Sequence, residues 1–210
     1  MAKKRKNVEK GIEIAPMNPG WIKRKVPNTY ADDDLKRIVL FYVINTPCIV
    51  LSSSAIPLTE YGWSKDVWKN NRALSDLLFS IAGLKRGETF FVAKKTDEMK
   101  SVCKKANMTK GFHDKREVEK VVIYRQPGYN DFMSVLYHIR NAFAHGRLAM
   151  YDAAEKDVIF VLEDGMKKNG EFVVRSRMIL KKSTLIKWID ILECKDDSAK
   201  VLIKEKNYES

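Results

Sequence analysis

The segment that most constrains this chain runs from Asn130 to Gly146, because both of its ends are marked. Asn130 has a side chain suited to capping a helix, and Gly146 stands where a helix can stop. At about 100° per residue, Phe132, Leu136, Ile139 and Phe143 fall within about 60° of one another, the stripe that a helix buries. Ser134, His138, Asn141 and His145 fall in a second band nearly opposite, with Arg140 and Ala144 between the two. The spacing predicts a helix to about His145 that anchors by its apolar face and presents an imidazole–carboxamide–imidazole row on the other. The rest of the chain must supply the core that receives it.

Other elements follow from local signals. Asp32-Asp33-Asp34 suits a helix N-terminus, and Leu35, Ile38, Val39, Tyr42 and Val43 continue with helical spacing until Pro47. Cys48–Leu51 fits either strand or continued helix. Ser64 can cap a helix through Trp68, Leu74, Leu77, Leu78 and Ile81 that stops near Gly83. Thr89–Ala93 and Val121–Tyr124 are expected as short strands, Asp97–Ala106 as a short helix, and Gln126-Pro127-Gly128 as a turn. Val158–Leu162 and Phe172–Leu180 flank a turn region holding Gly165 and Asn169-Gly170, the pattern of a β-hairpin. Ser183 opens a last helix with Leu185, Trp188, Ile189 and Leu192 on one side. The expected class is α+β, helix-dominated, with a C-terminal hairpin and a final amphipathic helix. Residues 1–30, with Pro16, Pro19, Gly20 and Pro27 among basic residues, are expected to form a basic arm. Residues 31–195 form one domain, and 196–210 a frayed polar tail.

A chain of 210 residues can bury roughly 70% of its unfolded surface, so it needs no staples. No apolar run approaches the ~20 residues of a membrane span. Met-Ala-Lys-Lys-Arg-Lys leads into no apolar segment, so a secretory signal is not expected and the chain should stay in the cytoplasm. Cys48, Cys103 and Cys194 stand far apart without a C-x-x-C pair, and the three histidines form no H-E-x-x-H pattern. No metal centre and no cofactor are therefore expected, and P-loop, G-x-S-x-G and G-x-G-x-x-G motifs are absent.

The formal net charge of +12 favours polyanionic partners. Residues 1–26 carry eight Lys/Arg against two Glu, and residues 94–120 carry nine against five acids. Within the second segment Lys94, Lys95, Lys104, Lys105, Lys110, Lys115 and Arg116 are the candidate phosphate contacts. A solvated tail and a lysine-rich surface would have the same composition.

The residue types on the 130–146 helix suit RNA cleavage without a metal. Histidine exchanges protons near neutral pH. Arginine is a permanently charged, forked phosphate clamp. Asn141 stands one turn before His145, close enough to orient its ring. On a straight helix Arg140 lies about 140° from His145. Either the helix ends before His145 and the ring swings, or two copies of the helix meet. The same residues also fit a structural role, since a histidine before a C-terminal glycine satisfies the last carbonyls and the helix dipole.

Arg140-Asn141-Ala142-Phe143-Ala144-His145 resembles the signature of the HEPN superfamily: an arginine, a polar residue, then histidine four to six positions on. Average residue frequencies would give Arg-Asn-x-x-x-His in roughly one chain of this length in a hundred, which makes the match specific. From Tyr129 to Glu193 the chain is also similar to a small HEPN group, often borne on plasmids or mobile elements. There His-Gly-Arg, here His145-Gly146-Arg147, precedes a hairpin and an amphipathic helix. The resemblance implies a helical bundle that dimerises with the motif helices facing each other. It further implies metal-independent cleavage of single-stranded RNA in a toxin or defence role, with an antitoxin or regulatory protein as a further partner. Arg140 and His145 would be catalytic and Asn141 supporting, with His138 and Arg147 as accessories. The alternative is a non-catalytic RNA-binding or regulatory dimer in which the motif serves capping and dimerisation.

Overall fold

The computed structural model describes residues 32–48, 58–63, 73–109, 118–153, 156–168 and 170–193. The basic arm, the polar tail, Ser64–Arg72 and most of Cys48–Leu51 lie outside them.

Asp32 caps the first helix by accepting a hydrogen bond from the Leu35 backbone N–H at 2.9 Å. Helix α1 (Asp33–Val39) continues as a π-helical segment, Leu40–Asn45, and ends at extended Thr46 just before Pro47. Helix α2 (Ala73–Ile81) stops before Gly83, whose φ of +60° a side chain would resist. Strand β1 (Phe90–Ala93) leads through a 3₁₀ turn, Thr96–Glu98, into α3 (Met99–Lys105), and β2 (Lys120–Tyr124) follows. Helix α4 (Asp131–Ala144) precedes strands β3 (Leu148–Asp152), β4 (Val158–Lys168) and β5 (Glu171–Lys181), and α5 (Lys182–Leu192) closes the described fold.

The strands form one five-stranded sheet in the order β1-β2-β5-β4-β3. β1 and β2 run parallel, while the other pairs are antiparallel. This overturns the expectation of a helix-dominated bundle with a hairpin appended. The hairpin is the centre of a mixed sheet, and the helices pack upon it. The physical reason lies in the edges of β4 and β5. A two-stranded ribbon leaves both outer rows of N–H and C=O groups open, and here β2 and β3 satisfy them. Two local readings change as well. Leu148–Asp152 is a strand, and Gly165 belongs to β4 at a bulge rather than to the turn. A Cβ on Gly165 would stand 2.6 Å from the Val173 carbonyl oxygen and 2.3 Å from the Phe172 ring, so only glycine fits that register.

Alternation along the strands separates the core into two layers. Phe90, Val121, Ile123, Phe160, Leu162, Met178 and Leu180 point toward α1, α2, α4 and α5, where Trp188 and Phe132 are fully enclosed. Val122, Val174 and Ala93 point the other way and receive Met99 and Cys103 of α3. On that second side the buried Glu163 and Arg177, cross-strand neighbours, pair at 2.9 Å. Arg177 also donates to the carbonyls of Met108 and Thr109, which fixes the end of α3 against the sheet. On the first side Arg37 bridges from α1 to Asp190 of α5 and to Glu193, the residue that caps α5. No described helix is long and apolar enough to cross a membrane.

Candidate functional site

Helix α4 is bounded by the two residues that mark it in the sequence. Asn130 accepts from the Met133 N–H at 2.8 Å. At the other end the N–H of Gly146 bonds to the Phe143 carbonyl at 3.0 Å and that of Arg147 to the Ala142 carbonyl at 2.8 Å. This paired closure needs a left-handed residue at its corner, and Gly146 supplies it with φ +61°.

Ten of the fourteen residues of α4 are buried, and they include most of the polar row. Ser134 and His138 are fully enclosed and Asn141 is 8% exposed. The row expected to face outward instead faces β2 and β4. Ser134 Oγ accepts from the Gln126 N–H at 3.1 Å and donates to the Asn130 carbonyl. His138 Nδ1 lies 2.7 Å from Asp164 Oδ2, and its Nε2 lies 2.7 Å from the Tyr124 carbonyl oxygen. Both ring nitrogens therefore face an oxygen at hydrogen-bond distance, and the ring is held from both sides. Asn141 donates from Nδ2 to the same Asp164 oxygen at 3.3 Å. A polar stripe can thus be as buried as an apolar one when strands opposite carry matching groups.

The motif's remaining members lie elsewhere on the helix. Arg140 is half-buried and donates through Nη1 to Asn141 Oδ1 at 3.1 Å. Its Nε is enclosed without a hydrogen-bond partner among the described residues. Burial pushes the Cys48 thiol up to about 11, while Thr46 and the Arg140 charge pull the other way. His145 is the C-cap of α4 and is exposed; its backbone N–H bonds to the Asn141 carbonyl, and its ring has no hydrogen-bond partner among the described residues. The helix does end one residue before His145. Because Ala144 is still helical, His145 stays on the helical track and keeps its angular separation from Arg140. Ala144, also exposed, leaves open space beside Arg140 one turn earlier.

Arg147 turns aside from the motif: its guanidinium stacks on the Phe172 ring at 3.8 Å from the centroid. Phe172 is the ring that closes over Gly165, so the bulge next to Asp164 also forms Arg147's platform. Among the candidate phosphate contacts, Lys94, Lys95, Lys104 and Lys105 are exposed. Lys94 and Lys95 give their backbone N–H groups to Glu98, and Lys104 and Lys105 occupy the last turn of α3, where the helix dipole favours cations. They belong to the α3 side of the sheet, whereas the motif belongs to the α4 side. Lys110, Lys115 and Arg116 lie outside the described residues.

The site therefore has a buried part, His138–Asp164–Asn141, and a surface part, Arg140 and His145, with Asn141 joining them. Asp164 is the member that sequence reasoning missed. Its signal was the Asp-Gly pair just past the run Val158–Leu162, which resembles a turn as closely as it resembles a bulge. Among the described residues no group of three or more His, Cys, Asp or Glu is placed to hold a metal ion. Comparison with known proteins finds no matching family model, no significantly similar curated protein and no significantly similar solved structure.

Proposed function

We propose that this chain is a cytoplasmic, metal-independent endoribonuclease that cuts single-stranded RNA through Arg140 and His145, in a toxin or defence role. The observation that carries the proposal is the state of the C-terminal end of α4. There an exposed imidazole follows, within the same motif, an arginine with a buried Nε, and neither group has a hydrogen-bond partner among the described residues. An orphaned guanidinium donor costs free energy that a phosphate oxygen would recover once the group turns outward. The fold is not the expected bundle, so the proposal rests on the motif and not on the architecture.

The reaction is attack of a 2′-oxygen on the adjacent phosphorus with departure of the 5′-oxygen. The 2′-OH proton goes to a base, and an acid protonates the leaving oxygen, giving 2′,3′-cyclic phosphate and 5′-OH ends. Each chain offers one free imidazole at the motif, and Arg140 is turned about 140° away from it. A homodimer that brings the ends of two α4 helices together would supply two imidazoles and two guanidiniums to one cleft. Asn141 then acts as a positioning residue, held by Asp164 and holding Arg140.

Purified protein incubated with total RNA in EDTA should yield fragments with cyclic phosphate and 5′-OH ends, and DNA should remain uncut. His145→Ala should lower the rate by roughly 10²–10⁴-fold. Arg140→Ala should cost a similar factor by removing charge stabilisation from the transition state. RNA that is bound yet never cut would overturn the proposal in favour of a non-catalytic RNA-binding dimer.

A further inference from the structure

We propose that the cleft at the N-terminal end of α4 binds a nucleotide, recognised as a phosphate joined to a flat aromatic group. This does not depend on the cleavage reading, which concerns the opposite end of the same helix.

The cleft has a volume of about 590 Å³ and lies between α2, the turn before β1 and the start of α4. Small-molecule sites commonly fall in that size range. Lys85, Arg86 and Arg125 line it, opposed by Asp76 and Asp131. Asp131 stands in the first turn of α4 with its side chain only 11% exposed. Both of its oxygens are occupied. Oδ1 receives Arg125 through Nε at 2.6 Å and through a terminal nitrogen at 2.5 Å, while Oδ2 receives Arg86.

One carboxylate thus gathers two guanidiniums and balances only one of their charges. Arg86 commits one nitrogen to Asp131 and lies over the Phe90 ring at 5.4 Å from its centroid, while its other guanidinium nitrogens, like the Lys85 ammonium, have no hydrogen-bond partner among the described residues. A phosphate monoester, with up to two charges and several acceptor oxygens, is the complement of that arrangement. The other wall is apolar. Phe79 is half-buried there, packed on Phe90 with ring centroids 4.6 Å apart and edge-on to Phe132 at 6.3 Å, and the part of it that stays exposed gives the cleft an aromatic wall for a base.

The nucleotide could be free or part of a strand, since α4 separates the cleft from His145 by about 20 Å. Titration calorimetry on the full chain distinguishes these sources with AMP, adenosine, inorganic phosphate and a short 2′-O-methyl oligoribonucleotide that cannot be cut. AMP should bind, and adenosine and phosphate should each bind roughly tenfold more weakly or worse. Arg86→Ala and Lys85→Ala should each weaken AMP by roughly tenfold. Arg86 is more than half exposed and Asp131 keeps Arg125, so that variant should melt like the parent. Phe79→Leu should weaken AMP and leave phosphate unchanged. Binding of the oligonucleotide alone, lost in Arg86→Ala and retained in His145→Ala, would assign the cleft to a strand and still support it. The proposal is overturned if neither AMP nor the oligonucleotide binds at millimolar concentration. It is equally overturned if Arg86→Ala leaves binding intact, or if phosphate binds as tightly as AMP.

Discussion

Two histidines stand seven positions apart on α4, and they have opposite fates. His138 is wholly buried with an oxygen at hydrogen-bond distance from each ring nitrogen, whereas His145 is exposed with a ring that no described residue engages. An imidazole committed on both sides is part of the framework, because moving its proton would break a buried contact. An imidazole open to solvent can exchange its proton with a substrate. Residue type is the same in both; what differs is whether β2 and β4 reach it.

The sharpest test of that contrast is subunit mixing. If one cleft draws its two imidazoles from two chains, a dimer of one parent chain and one His145→Ala chain lacks one of them. After subunit exchange at equal amounts half the dimers are mixed and a quarter are parent, so cleavage per parent chain should fall to about half. An unchanged rate per parent chain would place the whole site within one chain. Next comes stability. His138→Ala leaves the buried Asp164 without its ring partner and opens a cavity, and should cost roughly 2–5 kcal/mol in urea unfolding. His145→Ala should stay within about 0.5 kcal/mol. Equal losses would erase the distinction.

A smaller effect is expected at the corner that places His145. Gly146→Ala forces a side chain into a left-handed conformation and should cost about 1 kcal/mol. Cleavage should fall further than that loss of stability explains.

The mildest test concerns Glu119, a partly buried carboxylate satisfied by neutral donors: the Lys181 N–H at 2.8 Å and the Thr184 hydroxyl at 2.9 Å. Burial raises its pKa above the ordinary glutamate value despite those bonds. The folded chain therefore keeps this proton to higher pH than the unfolded chain. Its contribution to stability should fall as pH rises from the ordinary glutamate range through the raised one. Glu119→Gln should flatten that fall in urea midpoints measured across acidic pH, and an unchanged slope would refute the assignment.

Local chemistry carried much of this fold into the sequence. Asn130 and Gly146 bound α4, Asp32 caps α1, and Phe90–Ala93 and Lys120–Tyr124 appear where short β-branched or aromatic runs suggest strands. What escaped was non-local. The parallel pairing of β1 with β2 is decided by a crossover through α3, and no residue within either strand encodes it. Strand β3 begins two residues past a helix corner, so it lacks the turn signal that normally announces a strand. The polar row of α4 was correctly grouped but assigned to the wrong environment. Periodicity gives the angle between side chains, and only the partner at Asp164, 26 residues on, decides which side is dry.

The corner after α4 has a consequence for how this chain can vary. Arg147 gives its N–H to the Ala142 carbonyl and its own carbonyl to the Glu163 N–H, so one residue joins the end of the helix to β4. Strand β3 then pairs from Leu148 opposite Leu162. Between Phe143 and Leu148 the spacing is consequently fixed more tightly than the side chains. Ala144 faces solvent, so its side chain does not set this spacing. A single inserted or deleted residue would shift β3 by one position against β4 and turn its inward side chains outward. Sequence drift here should proceed by substitution alone, with length held constant.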